Sequence, residues 1–198
     1  MLAAGSSTRF GAPKLVQPLG DRTVIEQTLQ GMAPCICRAI VVIGPHDRRL
    51  RALLARHARV RCVVNSGASD MFRSVQVGLA ATSAQRVFLI PGDIPLVGVA
   101  VYRALLAASA PVAIPTHGGR KGHPVLLHRD VVRAALAAPA ETTLRDVITQ
   151  WRWEPVPVDD AAILWDIDTQ ADYEWIQEQL ALRQSSASAA GSSATAAS

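Results

Sequence analysis

Several things are scarce in this sequence, and each scarcity closes off a class of protein. Only three cysteines occur, Cys35, Cys37 and Cys62. Their number is odd and no C-x-x-C pair is present, so neither a disulfide framework nor a zinc site is indicated. Reduced, packed thiols are expected. Aromatic residues make up 5% of the chain, too few for a platform on which nucleic acid bases could stack. No apolar run approaches the roughly 20 residues of a membrane-spanning helix. No basic segment followed by an apolar one opens the chain, so a cytoplasmic location is expected, without a membrane partner. The net charge of +4 is modest and comes without a dense Lys/Arg block. It suits an anionic small substrate as well as a nucleic acid and decides neither. The arginines at 48, 49, 51, 56, 59 and 61 read as a solvated helix face rather than a nucleic acid surface. Neither G-x-x-x-x-G-K-[ST] nor G-x-G-x-x-G is present. A Walker loop is therefore excluded and a dinucleotide fingerprint unsupported.

What is there is enough for a core. Of 198 residues, 49% are apolar, which suits one folded domain. Residues 185–198 read SSASAAGSSATAAS, with no charge and no large apolar residue. They are expected to be a disordered tail, leaving residues 1–184 as a single domain without internal repeats. Within it, short β-branched runs alternate with amphipathic stretches. Residues 39–43, 60–64, 86–90, 112–114, 124–127 and 163–167 read as strands buried on both faces. The stretches 23–30, 47–57, 69–81, 99–108, 129–138, 142–150 and 169–182 read as helices. This alternation predicts a three-layer α/β/α, Rossmann-like domain with a mostly parallel sheet. Ligands of such folds bind beyond the carboxyl ends of the strands. The strand expected before the first loop is nearly missing, being either truncated or very short.

Three groups of residues in those loops could carry chemistry. The first is LAAGSSTRFGAPKL, residues 2–15. Small side chains at Ala3, Ala4, Gly5, Ser6 and Ser7 let backbone N–H groups approach phosphate oxygens. Arg9 and Lys14 add two cations. The second is Asp93 in Pro-Gly-Asp-Ile-Pro, a carboxylate just past a strand and a natural ligand for Mg²⁺. The third is Asp166-Ile-Asp168-Thr169, where alternation would point both carboxylates to one side. Each has a plainer reading: a flexible turn, an ordinary proline-glycine turn, or a helix cap. Together they compose a metal-dependent nucleotide site. Ser7, Thr8 and Ser74 lack a partner histidine, so a hydrolase triad is unsupported.

The first block resembles the signature loop of the MobA-like NTP transferases, LAAG-x-S-x-R-[MF]-G-x-x-K. Asn65 with Ser69-Asp-Met-Phe-Arg-Ser74 through Leu79 is similar to that family's GM-x-x-S-x-x-x-GL segment. Gly92-Asp-Ile-Pro95, Gly122-His-Pro-Val125 and Asp166-Ile-Asp-Thr169 resemble its later blocks, in the family's order. The opening and the last two blocks look most like the molybdenum cofactor cytidylyltransferases. Two positions depart from that pattern: Asp70 stands where Gly is usual, and Ile94 where Gln is common. Both bear on the choice of acceptor. The resemblance implies a GT-A-like nucleotidyltransferase that moves CMP from CTP to molybdopterin cofactor and releases pyrophosphate, with Mg²⁺ as cofactor. A molybdoenzyme would be an eventual client. It implies Arg9, Lys14 and Asp93 as catalytic residues, and metal at Asp93 with Asp168 or Asp166. The nucleotide would meet Leu2, Ala3, Ala4, Gly5, Ser6, Arg9, Lys14, Asn65, Ser69 and Ser74, and the acceptor His123. Guanylyl or other nucleotidyl transfer, and a non-catalytic cofactor-binding chaperone, stay open as alternatives.

Overall fold

The β-branched runs become strands because, covered on both faces by helices, they lose apolar surface to neighbours on either side. The computed structural model describes residues 1–5, 7–67, 70–139 and 141–195, and only the backbone of 187–195. In chain order the strands are β1 (Leu2–Ala3), β2 (Pro18–Leu19), β3 (Arg22–Thr23), β4 (Ala39–Ile43), β5 (Val60–Val64), β6 (Arg86–Leu89), β7 (Val112–His117), β8 (Arg120–Lys121), β9 (Val125–His128) and β10 (Trp153–Pro157). The helices are α1 (Val24–Met32), α2 (Arg48–Leu54), α3 (Met71–Ala80), α4 (Val99–Ala107), α5 (Arg129–Ala137), α6 (Leu144–Thr149) and α7 (Gln170–Thr195).

β1 has only two residues, yet it joins the two halves of the sheet. It pairs in parallel with β4, Leu2 opposite Val42 and Ala3 opposite Ile43. On its other side the Leu2 N–H donates to the Ile90 carbonyl at 2.9 Å, and the Gly92 N–H donates to the Leu2 carbonyl at 2.8 Å. The central order is therefore β5-β4-β1-β6-β9-β7-β10. Only β9 runs against its neighbours β6 and β7 in that row. A mostly parallel sheet is what the alternation of elements predicts.

The period of two sorts the core into two layers. Ala113 and Leu126 face Ile25, Leu29, Leu50, Leu54, Tyr102 and Leu105 of α1, α2 and α4. Their neighbours Val112, Ile114, Val125 and Leu127 face Phe72, Val75, Leu79, Val131, Val132 and Val147 of α3, α5 and α6. A third, smaller cluster ties Leu19 and Val24 to Ile167, Tyr173 and Ile176, seating the start of α7 beside the first loop.

Three elements differ from the sequence reading. Residues 163–167 are not a strand: a short 3-10 turn covers Ala161–Leu164, with irregular chain after it. The apolar run alone cannot separate the two, because both bury Ile163 and Ile167. The sixth parallel strand of the row is β10, hidden in the sequence by Pro155 and Pro157. Prolines are tolerated there because β10 is an edge strand, paired on one side with β7. Finally, α7 runs past Leu182 to Thr195, into the segment read as a tail. Ala and Ser follow one another there without proline, so nothing stops the helix. The hydroxyls of Ser185 and Ser186 donate to the carbonyls of Ala181 and Leu182.

Candidate nucleotide site

The first loop leaves β1 at the carboxyl edge of the sheet and turns back on itself. The Phe10 and Gly11 N–H groups both donate to the Ser7 carbonyl at 3.1 Å, with Ser7 and Gly11 at positive φ. The Phe10 ring meets the Tyr173 ring edge-on, with centroids 5.7 Å apart, which pins the loop to α7. Pro13 then leads into a 3-10 turn that starts at Lys14.

That turn aims Lys14 at two carboxylates from distant parts of the chain. Its Nζ lies 2.6 Å from Asp93 Oδ2 and 3.2 Å from Asp168 Oδ1, and donates to the Ile167 carbonyl at 2.6 Å. Burial would lower the Lys14 pKa, but hydrogen bonds and charges from Asp93 and Asp168 outweigh it and raise the value. The ammonium is thus held charged. Arg9 reaches the other Asp168 oxygen at 2.8 Å from an exposed position. Arg9, Lys14, Asp93 and Asp168, four of the residues expected to meet phosphate or metal, converge on one point.

Each carboxylate is positioned by backbone. The Pro91-Gly92-Asp93 turn is gripped on three sides. The Gly92 N–H bonds to Leu2, the Thr28 hydroxyl donates to the Gly92 carbonyl at 2.9 Å, and the Ile167 N–H donates to the Asp93 carbonyl at 3.0 Å. Asp168 is held by Asp172, whose Oδ2 accepts from the N–H groups of Asp168 and Thr169 and from the Thr169 hydroxyl. These bonds, the Thr169 hydroxyl first, hold the Asp172 carboxyl below its ordinary value. Thr28 and Asp172 escaped the sequence reading. The Thr169-x-x-Asp172 spacing is a capping signal that could have found Asp172. Nothing local marks Thr28.

A cavity of about 420 Å³ opens over this point. It is lined by Leu2, Ala3, Ala4 and Gly5, by Arg9, Lys14, Asp93 and Asp168, and by Met71 and Ser74 from α3. No side-chain atom stands within 4 Å of where a Cβ at Gly5 would be, so backbone is open to a ligand there. The remaining expectations fall as follows. Asn65 lies outside the lining and is buried. Its amide donates to Ser74 Oγ at 2.9 Å and its carbonyl accepts from the Gly67 N–H, so it shapes the turn from β5 into α3. Asp70 caps α3 through the Phe72 N–H, which accounts for an acid where glycine is usual. Asp166 is exposed and outside the lining, whereas Asp168 is part of it, and the chain there is not a strand. His123 is also outside it. Burial lowers its pKa, against a backbone hydrogen bond at Leu89 and the charges of Asp93 and Asp166, and Nδ1 is buried without a partner. Ser6 and Ser69 lie outside the described residues.

The donor set can be tested against a divalent ion. Asp93 and Asp168 face one ammonium in a partly solvated cavity, and hard oxygen ligands of this kind suit Mg²⁺. No group of three or more His, Cys, Asp or Glu able to hold a metal occurs among the described residues. Two carboxylates completed by phosphate oxygens and water therefore fit the ion, and a closed protein cage does not. No described helix is long and apolar enough to cross a membrane.

Comparison with known proteins bears on the family and the fold. The family model of the MobA-like NTP transferase domain matches residues 1–156. The molybdenum cofactor cytidylyltransferase of Escherichia coli K12 is 27% identical over 179 residues, 89% of this chain and 93% of that protein. A nucleotidyl transferase structure from Methanothermobacter superposes with a TM-score of 0.80 at 25% identity, covering 92% of this chain and 96% of that one. A Mycobacterium tuberculosis H37Rv protein solved in complex with manganese gives a TM-score of 0.75 at 25% identity, over 89% of this chain and 95% of its own.

Proposed function

The chain belongs to the MobA-like NTP transferase family, and from that premise we propose that it transfers CMP from CTP to the phosphate of molybdopterin cofactor, in the cytoplasm. The observation that carries the reading is the meeting of Lys14, Asp93 and Asp168 beneath the cavity. The similarity to a cytidylyltransferase favours CTP, and a manganese-bound relative favours a divalent cofactor, taken here as Mg²⁺.

In this reading the acceptor phosphate oxygen attacks the α-phosphorus in line. The bond from that phosphorus to the bridging oxygen breaks, and pyrophosphate leaves with the electron pair. A divalent ion bound by Asp93 and Asp168 would supply charge neutralisation on the phosphates. Lys14 and Arg9 place their cations where negative charge builds on the leaving group. Backbone from Ala3 to Gly5 meets the phosphates and Ser74 stands on the base side, with Asn65 ordering Ser74. In this reading His123, uncharged at neutral pH because burial lowers its pKa, would meet the acceptor from beyond the cavity lining.

The test is a panel of CTP, GTP and ATP with Mg²⁺ and purified molybdopterin cofactor, read as pyrophosphate release. Release with CTP at least tenfold above the others is expected. Release with GTP would replace cytidylyl by guanylyl transfer. Binding of cofactor without release from any nucleotide would make the protein a carrier instead.

A further inference from the structure

The two carboxylates that would hold a divalent ion already have a cation between them. Lys14 Nζ lies 2.6 Å from Asp93 Oδ2 and 3.2 Å from Asp168 Oδ1. Arg9 takes the other Asp168 oxygen, Oδ2, at 2.8 Å. Two negative and two positive side chains meet there, so the cluster is neutral by itself. The Lys14 contact is the sheltered one: its side chain is 13% exposed, against 74% for Arg9. A bond to the Ile167 carbonyl at 2.6 Å also fixes the ammonium. Ions of the size of Mg²⁺ hold oxygen ligands at about 2.1 Å. On Asp93 Oδ2 such an ion would stand within about 4.7 Å of the ammonium. Like charges at that range, sheltered from bulk water, repel with little screening. Both Asp168 oxygens are engaged as well, so an ion that bridges the carboxylates displaces a resident cation.

We propose that Lys14 is an internal counter-ion, which keeps divalent ions off Asp93 and Asp168 until a polyanion in the cavity draws its ammonium away. The inference rests on the nucleotide reading above and adds a regulation of that site. A divalent ion entering alone would face a neutral cluster and leave surplus positive charge in a half-buried place. An ionised triphosphate reverses that balance, because it brings enough negative charge for the ion and both side chains. Lys14 lines the cavity, and its flexible stem lets the ammonium turn toward a ligand there while the loop stays in place. The side chain thus serves carboxylates in the free protein and phosphates in the loaded one. Ion and nucleotide then bind cooperatively, and the coupling is reciprocal.

The experiment measures Mn²⁺ binding without nucleotide, by electron paramagnetic resonance, on the full chain and on Lys14→Met, Lys14→Arg and Arg9→Gln. Lys14→Met, which keeps the length of the side chain and removes its charge, should bind Mn²⁺ about tenfold or more tighter than the parent. Lys14→Arg keeps the cation and should stay within about twofold of the parent. A purely structural role for Lys14 predicts no such gain. Parental or weaker Mn²⁺ binding in Lys14→Met overturns the counter-ion, and so does an equal gain in Lys14→Arg. Where Lys14→Met shows no cooperative thermal unfolding, the exposed Arg9→Gln decides: a gain of about twofold to threefold supports the proposal and parental affinity overturns it. A gain in Lys14→Met beside a parent that ignores CTP, GTP and ATP leaves the counter-ion standing and overturns the nucleotide reading instead.

Discussion

At the scale of single residues the site is an arrangement of charges that no one position explains. Lys14 is legible in the sequence as a cation on a small-residue loop. Its partners are not, because Asp93 and Asp168 lie 79 and 154 positions away and only the fold brings them to one ammonium. The same holds for the choice between Asp166 and Asp168. Strand alternation would put them on one side, but the stretch is not a strand, and Asp168 alone turns into the cavity. Lys14→Ala should weaken CTP binding by about tenfold or more, the worth of a strong charge-assisted contact, while CMP binding changes less. Titration calorimetry of the two nucleotides checks this, and equal losses for both would contradict it. Asp93→Ala should abolish most Mg²⁺-dependent pyrophosphate release while the turn itself keeps its backbone hydrogen bonds.

Among elements, the sequence shows which segments are regular and misses what prolines and capping obscure. The strands β4 to β7 and β9 stand out as β-branched runs between helices. β10 does not, because two prolines in five residues look like a loop until an edge position removes the objection. The glycine of the Gly122-His-Pro-Val block illustrates a motif residue with a packing cause. A Cβ there would stand 2.4 Å from the Ile163 carbonyl oxygen and 2.7 Å from Ile163 Cγ1. Gly122→Ala should therefore cost about 2–3 kcal/mol by forcing β8–β9 away from the 3-10 turn, measurable by urea denaturation. Gly5→Ala meets no such neighbour, so it should leave stability within about 0.5 kcal/mol while narrowing the cavity and weakening nucleotide binding. Similar stability losses for both glycines would contradict this separation of packing from binding.

For the whole molecule, three-layer architecture was readable from alternation alone, whereas the order of the strands was not. Two residues of β1 stitch the β4–β5 half to the β6–β9 half, and that join sets the first loop between Asp93 and the β4–α2 connection. Two groups also make the stability of the assembly depend on pH. Burial lowers the His123 pKa from its ordinary 6.5, against the bond at Leu89 and nearby carboxylates. Burial would raise Glu26 above its ordinary 4.5, but bonds from the Thr23 N–H and hydroxyl and from His57 overcome it and lower the value. In both cases the unfolded chain binds more protons as pH falls, so stability is full above the unfolded values and declines on acidification. The loss begins below 6.5 through His123 and continues below 4.5 through Glu26. The urea midpoint should be lower at about pH 4 than at about pH 7.5, and Glu26→Gln should flatten the acid part of that fall. A midpoint that rises on acidification would have the sign wrong.

The central claim is that two carboxylates from distant parts of the chain share one divalent ion beside the nucleotide. Electron paramagnetic resonance of Mn²⁺ bound in the presence of CTP measures it directly, on the parent and on Asp93→Asn, Asp168→Asn and Asp166→Asn. The account predicts that the first two variants weaken Mn²⁺ binding by about tenfold or more and that the third binds like the parent. Parental Mn²⁺ affinity in both Asp93→Asn and Asp168→Asn would contradict it.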